Sequence, residues 1–261
     1  MTTNQTTFPA GTFTPAPGAG SRARMLAAHA RTEVTLTLRN GEQILLTLLI
    51  PVALLVGLTL VKIIAMPEPR VDSVVPRVFA LAVMSSAFTG QAIALGFDRR
   101  YGVLKRLAAT ALPRWLLAAG RVAAGLTVVV IQLVVLGIVA LALGWSPTAA
   151  GLVWTVLLAV LGALAFGALG VLLGGTLKAE VVLALANIIW FVLLLAGGII
   201  VPASSMPAGI ASVVELLPSG ALTEGMNQAL TGSGPGVQPF VVLAVWGVVA
   251  GVVAGRTTRL T

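Results

Sequence analysis

Of the chain's 261 residues, 58% are hydrophobic and only 9% are charged, and there is no cysteine. A water-soluble domain carries about 25% charged residues, so this composition excludes a soluble enzyme, a disordered regulator and a disulfide scaffold. Sixteen Lys and Arg against eight Asp and Glu leave a net charge of +8, which in a soluble domain would suggest nucleic acid. In a membrane protein the same excess reports topology.

Residues 1–20, rich in Thr, Pro and Gly and without charge, are expected to form a disordered tail. They lack the basic and apolar halves of a signal peptide. From 21 to 42 an interfacial helix is expected: Ala27, Ala30, Val34 and Leu38 fall at helical spacing with Arg24, Arg31 and Arg39 between them. Val34, Leu36 and Leu38 also alternate with Thr35 and Thr37, a strand-like pattern that competes with the helix. The single histidine, His29, has no partners for catalysis or metal binding and is expected on the solvated surface.

Crossing a bilayer core takes about 20 largely apolar helical residues, and the charges partition the chain accordingly. The uncharged stretches Gln43–Val61, Val78–Phe97, Val122–Leu177, Val181–Val214 and Gly225–Gly255 predict six spans. They are placed at 43–64, 75–97, 119–144, 151–174, 181–201 and 238–255, with Trp145, Ser146 and Pro147 turning between the third and fourth. With both termini cytoplasmic, thirteen of the sixteen cations lie inside, leaving Lys62, Arg70 and Arg77 outside. The fold expected is all-α: a six-span domain over 43–255 and a cytoplasmic tail at 256–261.

Two segments between spans have their own character. In the cytoplasmic loop 98–118, Asp98 is expected to cap a short helix, Leu104 and Leu107 share a face, and Pro113 ends it. The outer segment 202–237 is broken by Pro202, Pro207 and Pro218 into two short half-apolar helices, Ala208–Leu217 and Gly220–Leu230. Such pieces lie at the interface or re-enter it, as a plain cap or as an external gate.

Within the spans, Gln91, Gln132, Asn187 and Trp190 are the candidates for lining a path, with interhelical hydrogen bonding as the alternative for each. Gly247, Gly251 and Gly255 are spaced for close helix packing. No Walker loop occurs, so the chain is not expected to bind nucleotide itself. No Asp or Glu falls mid-span, which argues against ion-coupled transport. No catalytic or metal-binding constellation is present, so an enzyme is not expected.

The run Phe97-Asp98-Arg99-Arg100-Tyr101-Gly102-Val103-Leu104-Lys105-Arg106-Leu107, followed by Ala109-Thr110-Ala111-Leu112-Pro113-Arg114, resembles the loop between spans two and three of type-2 ABC exporter permeases. That family includes the membrane subunits of daunorubicin-type resistance exporters and of polysaccharide exporters. Val103 and Ala111 depart from its usual Thr and Pro. Leu38-Arg39-Asn40 and Leu216-Leu217-Pro218 are similar to further landmarks of the family, and the likeness spans about residues 22–255. It implies that Asp98, Arg99, Arg100, Tyr101, Gly102, Leu104, Lys105, Arg106 and Leu107 form a coupling loop docked on a separate cytoplasmic ABC ATPase. Two ATPase copies would carry ATP and Mg, and a second permease subunit, the same or different, would complete the pathway. The expected function is export of a hydrophobic or amphipathic molecule, a drug or lipid, across a bacterial plasma membrane. Lipid is the other expected contact and nucleic acid is not one. The competing reading is an ATPase-independent membrane protein, either a secondary transporter or an assembly scaffold.

Overall fold

In a computed structural model of the protein, the residues described are 9, 12, 14, 20–39, 41–61, 68–109, 113–200, 206–232 and 234–257. Most of the expected tail at 1–20, and Pro202, lie outside them. Among the described residues the regular structure is entirely helical, as the composition implied.

Helix α1 (Arg22–Arg39) settles the competition at the N-terminal segment in favour of helix. The threonines that mimicked a strand instead bond back along the helix. Thr32, Thr35 and Thr37 hydroxyls donate to the carbonyls of Ala28, Arg31 and Glu33, at 3.0, 2.7 and 2.9 Å. Helix α2 (Gly41–Leu60) follows, with Pro51 inside it. Then α3 (Arg70–Met84), a π-helical stretch (Ser85–Gly90) and α4 (Gln91–Arg100) run on as one long helix, Arg70–Arg100. This helix begins five residues earlier than the expected span at 75, so it absorbs Arg70 and Arg77. Pro76 lies in its second turn, where the missing N–H leaves out one i→i−4 bond.

After the short α5 (Val103–Ala108) come three long helices: α6 (Arg114–Ala142), α7 (Ala149–Thr176) and α8 (Ala179–Ala196). Thr148 caps α7, its hydroxyl accepting from the Gly151 amide at 3.1 Å. The turn before it buries Trp145, which meets Phe79 edge-on at 5.7 Å. Helix α8 stops at Ala196, short of the expected 201, where Gly198 takes a φ of 72° that other residues resist. The segment between α8 and the last helix contains α9 (Ala208–Leu216) and α10 (Pro218–Thr231), and α11 (Val237–Thr257) is the last described helix. The prolines that break this segment also start its helices: Pro207 precedes α9, and Pro218 is its successor's first residue, where its missing N–H is no loss.

Five helices among the described residues are long and apolar enough to cross a membrane, Arg70–Arg100 and the α6, α7, α8 and α11 helices. The first is the axis of the bundle. It is 67% buried in its most apolar stretch, against 17% for α8, which stands at the periphery. Around α3 pack α2, α6, α7 and α10. Helix α1 lies against α6 far more than against its neighbour α2.

Gly120 on α6 explains that docking. A Cβ there would stand 2.2 Å from the His29 ring, so only glycine leaves the imidazole its seat. His29 is therefore not the solvated residue expected. Its side chain is 8% exposed and lies 4.0 Å from Glu33.

Candidate functional site

The loop between α4 and α6 is built at a break. Helix α4 ends at Arg100, Gly102 adopts a left-handed φ of 69°, and α5 starts directly after it. Asp98 is thus not a helix cap but a residue of the last turn of α4, and its carboxylate receives Arg121 of α6 in an ion pair. Arg99 reaches the end of α7, donating to the carbonyls of Gly174 and Leu177 at 3.0 and 3.1 Å. Those carbonyls have no partner inside the helix, and a cation there also complements the helix dipole. Arg100 pairs with Glu180 in the first turn of α8 and lies 6.0 Å above the Tyr101 ring. Tyr101 stacks on Phe97 at 6.0 Å, and its carbonyl accepts from Arg106 at 3.0 Å.

The loop's charges therefore divide into two sets. Asp98, Arg99 and Arg100 fasten α4 to α6, α7 and α8. Lys105 and Arg106 stay exposed on α5, while Leu104 turns inward at 6% exposure and Leu107 is half-buried. A cavity of about 370 Å³ separates the loop from the α7–α8 turn and has Lys105 and Lys178 on its walls.

Midway along the Arg70–Arg100 helix, the π-helical stretch collects polar side chains of the bundle. Ser85 accepts from the Trp190 indole at 2.9 Å and donates to the Leu81 carbonyl at 2.7 Å. Ser86 donates to the Gln132 amide oxygen at 2.6 Å, and the Gln132 amide donates in turn to the Thr47 carbonyl of α2 at 3.0 Å. Gln132 is 1% exposed. Insertion of an extra residue into the helical turn widens the helix locally, and such bulges recur at functional positions.

Gln91 lies one turn further on, packed over Gly125. It lines a second cavity of about 260 Å³ with Glu33, Thr47, Ser86, Asp98 and Arg121. Three of the four polar span residues thus converge on one helix. Asn187 does not: it is exposed on α8, where its amide donates only to the Leu183 carbonyl at 2.7 Å.

Glycines set the closest helix contacts. A Cβ at Gly170 would stand 2.8 Å from the Phe88 carbonyl, and one at Gly174 would stand 2.4 Å from the Ala92 carbonyl. Of the run in α11, Gly247 packs on Ala165, where a Cβ would stand 3.3 Å from the Ala165 backbone, whereas Gly251 and Gly255 face open space.

At the opposite end of the bundle, Arg70 and Arg77, expected outside the membrane, are both buried, at 6% and 7% exposure. Arg70 caps α2, donating to the Leu58 and Val61 carbonyls at 3.0 and 3.1 Å. The signal available in the sequence was their spacing: seven residues apart, they share a face with the buried Val74 and Leu81. Helix α10, one of the two expected outer pieces, is wedged into the bundle, with Gly225 against Leu158 and Gly162 against Leu222. Pro218 is buried at its start, while Pro207 is exposed before α9. No group of three His, Asp or Glu able to hold a metal ion occurs among the described residues.

A search of curated proteins returns no significant match. Comparison with known families matches residues 25–231 to the ABC-2 type transporter family, a stretch that takes in the fastened loop, the π-helical polar cluster and α10. The chain belongs to the ABC-2 type transporters, as a multi-pass membrane subunit of an ABC transporter.

Proposed function

We propose that this subunit is the permease half of an ATP-driven exporter, with α2 as a sixth span beside the five long helices and both termini in the cytoplasm. The observation that carries the reading is the division of labour in the loop. Asp98, Arg99 and Arg100 bind it to three separate helices, while Lys105 and Arg106 remain on its outer surface. A loop fastened in this way transmits a push instead of absorbing it, and its exposed cations suit an acidic groove on a partner.

Two cytoplasmic ABC ATPase subunits supply that push when they bind ATP with Mg, and this chain contributes no nucleotide site. Displacement of α5 passes through α4 to the π-helical stretch, where Ser85, Ser86 and Gln132 link α4 to α8, α6 and α2. Rearrangement there opens the polar crevice lined by Gln91 for a hydrophobic or amphipathic molecule leaving the cytoplasm or the inner leaflet. Asn187 on the lipid-exposed face of α8 supports a second permease subunit, because a polar side chain in hydrocarbon is costly unless another helix covers it. The setting is a bacterial plasma membrane, and α9 and α10, begun by Pro207 and Pro218, form the external gate.

The test is co-purification with an ABC ATPase subunit. Lys105→Glu combined with Arg106→Glu reverses the outward charges and leaves the three fastening contacts intact. Loss of the ATPase from a variant that still elutes as a folded protein is the expected result, and full retention refutes the docking.

A further inference from the structure

Four of the ten residues lining the cavity beside α5 are cations, and only Glu180 is acidic. Arg100 and Glu180 pair with each other, which leaves Arg99, Lys105 and Lys178 in excess on its walls. Arg99 makes both of its carbonyl bonds through Nη1, and a guanidinium donates from its other nitrogens as well. Lys105 belongs to α5 and Lys178 to the junction of α7 and α8, so the two ammonium groups come from different walls. Cations gathered round one space repel one another unless an anion sits among them.

The depth of the cavity narrows the choice of anion. Its far wall is the turn between Ala149–Thr176 and Ala179–Ala196, both long and apolar enough to span, so it lies at the level of lipid headgroups. Helix α8 is the least buried of the five long helices, at 17%. Val181, Ile188 and Leu195, each about half exposed, recur every seven residues along it and form one apolar stripe. That stripe starts one residue beyond Glu180, where an acyl chain would descend from the cavity. The space is about 370 Å³, against about 30 Å³ for one water, which holds a phosphodiester with its remaining waters.

We propose that this cavity seats the phosphodiester of an anionic phospholipid, with an acyl chain along α8. Basic pockets between spans take such headgroups, and a zwitterionic lipid is disfavoured because its own cation would meet Arg99, Lys105 and Lys178. Bound there, the lipid bridges Lys105 on the loop and Lys178 on the bundle, so the composition of the leaflet sets how firmly α5 is held. The inference goes beyond the docking reading and does not depend on it, since it needs only that α7 and α8 cross the membrane.

The test is native mass spectrometry of the full-length subunit, purified without an ATPase and titrated with cardiolipin, phosphatidylcholine or inorganic phosphate. Cardiolipin should be retained where phosphatidylcholine and inorganic phosphate are not. Lys178→Gln should weaken cardiolipin binding about fivefold, the worth of one lysine beside an anionic headgroup. Lys178→Gln with Lys105→Gln should weaken it about twenty-five-fold, and Lys178→Arg should bind as the parent does. Arg256→Gln removes the same charge from the exposed last turn of α11 and should leave the affinity unchanged.

Equal weakening by Arg256→Gln makes the attraction a diffuse one and overturns the site. Phosphatidylcholine bound as tightly as cardiolipin overturns it too, and inorganic phosphate that displaces cardiolipin at equal concentration assigns the cavity to a free anion instead. Lys178→Gln keeps both docking cations, so it should still co-purify with the ATPase. Loss of the ATPase from that variant with cardiolipin binding intact makes the cavity a protein contact and refutes the lipid. Should Lys178→Gln fail to fold, Lys105→Gln against Arg256→Gln decides alone.

Discussion

Asp98 and Arg121 meet where their side chains are 31% and 15% exposed, whereas Arg100 and Glu180 meet in the open at 50% and 62%. Removing the carboxylate from the first pair leaves a largely covered guanidinium without its acceptor. Asp98→Asn should therefore destabilise the protein by about 1–3 kcal/mol, read as a lower melting temperature. Glu180→Gln should cost no more than about 1 kcal/mol, as exposed pairs do. A larger loss from Glu180→Gln than from Asp98→Asn would contradict this ordering.

Gln132 offers a third comparison, since one side chain ties Ser86 to the Thr47 carbonyl. Gln132→Leu should destabilise by about 0.5–2 kcal/mol, the worth of interhelical hydrogen bonds in membranes, and Gln132→Glu should be worse because it buries a charge. The sequence displayed these residues as a cluster of charges and a few stray amides. Which charges turn inward depended on where α7 and α8 end, and nothing local to residues 98–106 records that.

Helix boundaries were legible where prolines mark them, as at Pro113, Pro207 and Pro218, and not at Gly102, whose left-handed turn separates α4 from α5. The glycines were less so. Gly247, Gly251 and Gly255 form the regular pattern, yet only Gly247 touches another helix, while Gly170 packs tightly on the π-helical stretch and Gly174 on α4. Spacing identifies a small-residue stripe; only packing decides which face has a neighbour. Gly174→Ala should accordingly push α7 from α4 and cost about 1–3 kcal/mol, as overpacking does, with lower yield of folded protein. Gly251→Ala should leave both yield and melting unchanged. The π-helical stretch had no sequence signature, since its extra residue is a matter of hydrogen-bond register and not of composition.

Across the whole molecule, hydrophobic runs located five of the six expected spans as helices long enough to cross a membrane. The first expected span holds a shorter apolar stretch, Thr47–Leu60, and the distribution of cations supplied an orientation to test. Lys105→Cys on α5 should react with an impermeant thiol reagent only from the cytoplasmic side. Val237→Cys, at the exposed start of α11, should react only from outside. Reaction of both from one side would refute the proposed topology. Where charge counting failed was at Arg70 and Arg77, because it treats every cation beyond an apolar run as a solvated one. Burial against α2 and α10 is a property of tertiary packing, which a count along the chain does not contain.

The seat of His29 on Gly120 has a consequence for how this chain can diverge. Any side chain at position 120 larger than hydrogen collides with the ring, so the two positions cannot drift separately. A relative that acquires alanine at 120 must shrink position 29 in the same lineage or let the first helix slide along the third span. The pair is thus a natural marker of paired substitution among homologues. It would also identify chimaeras whose N-terminal helix and third span come from incompatible parents.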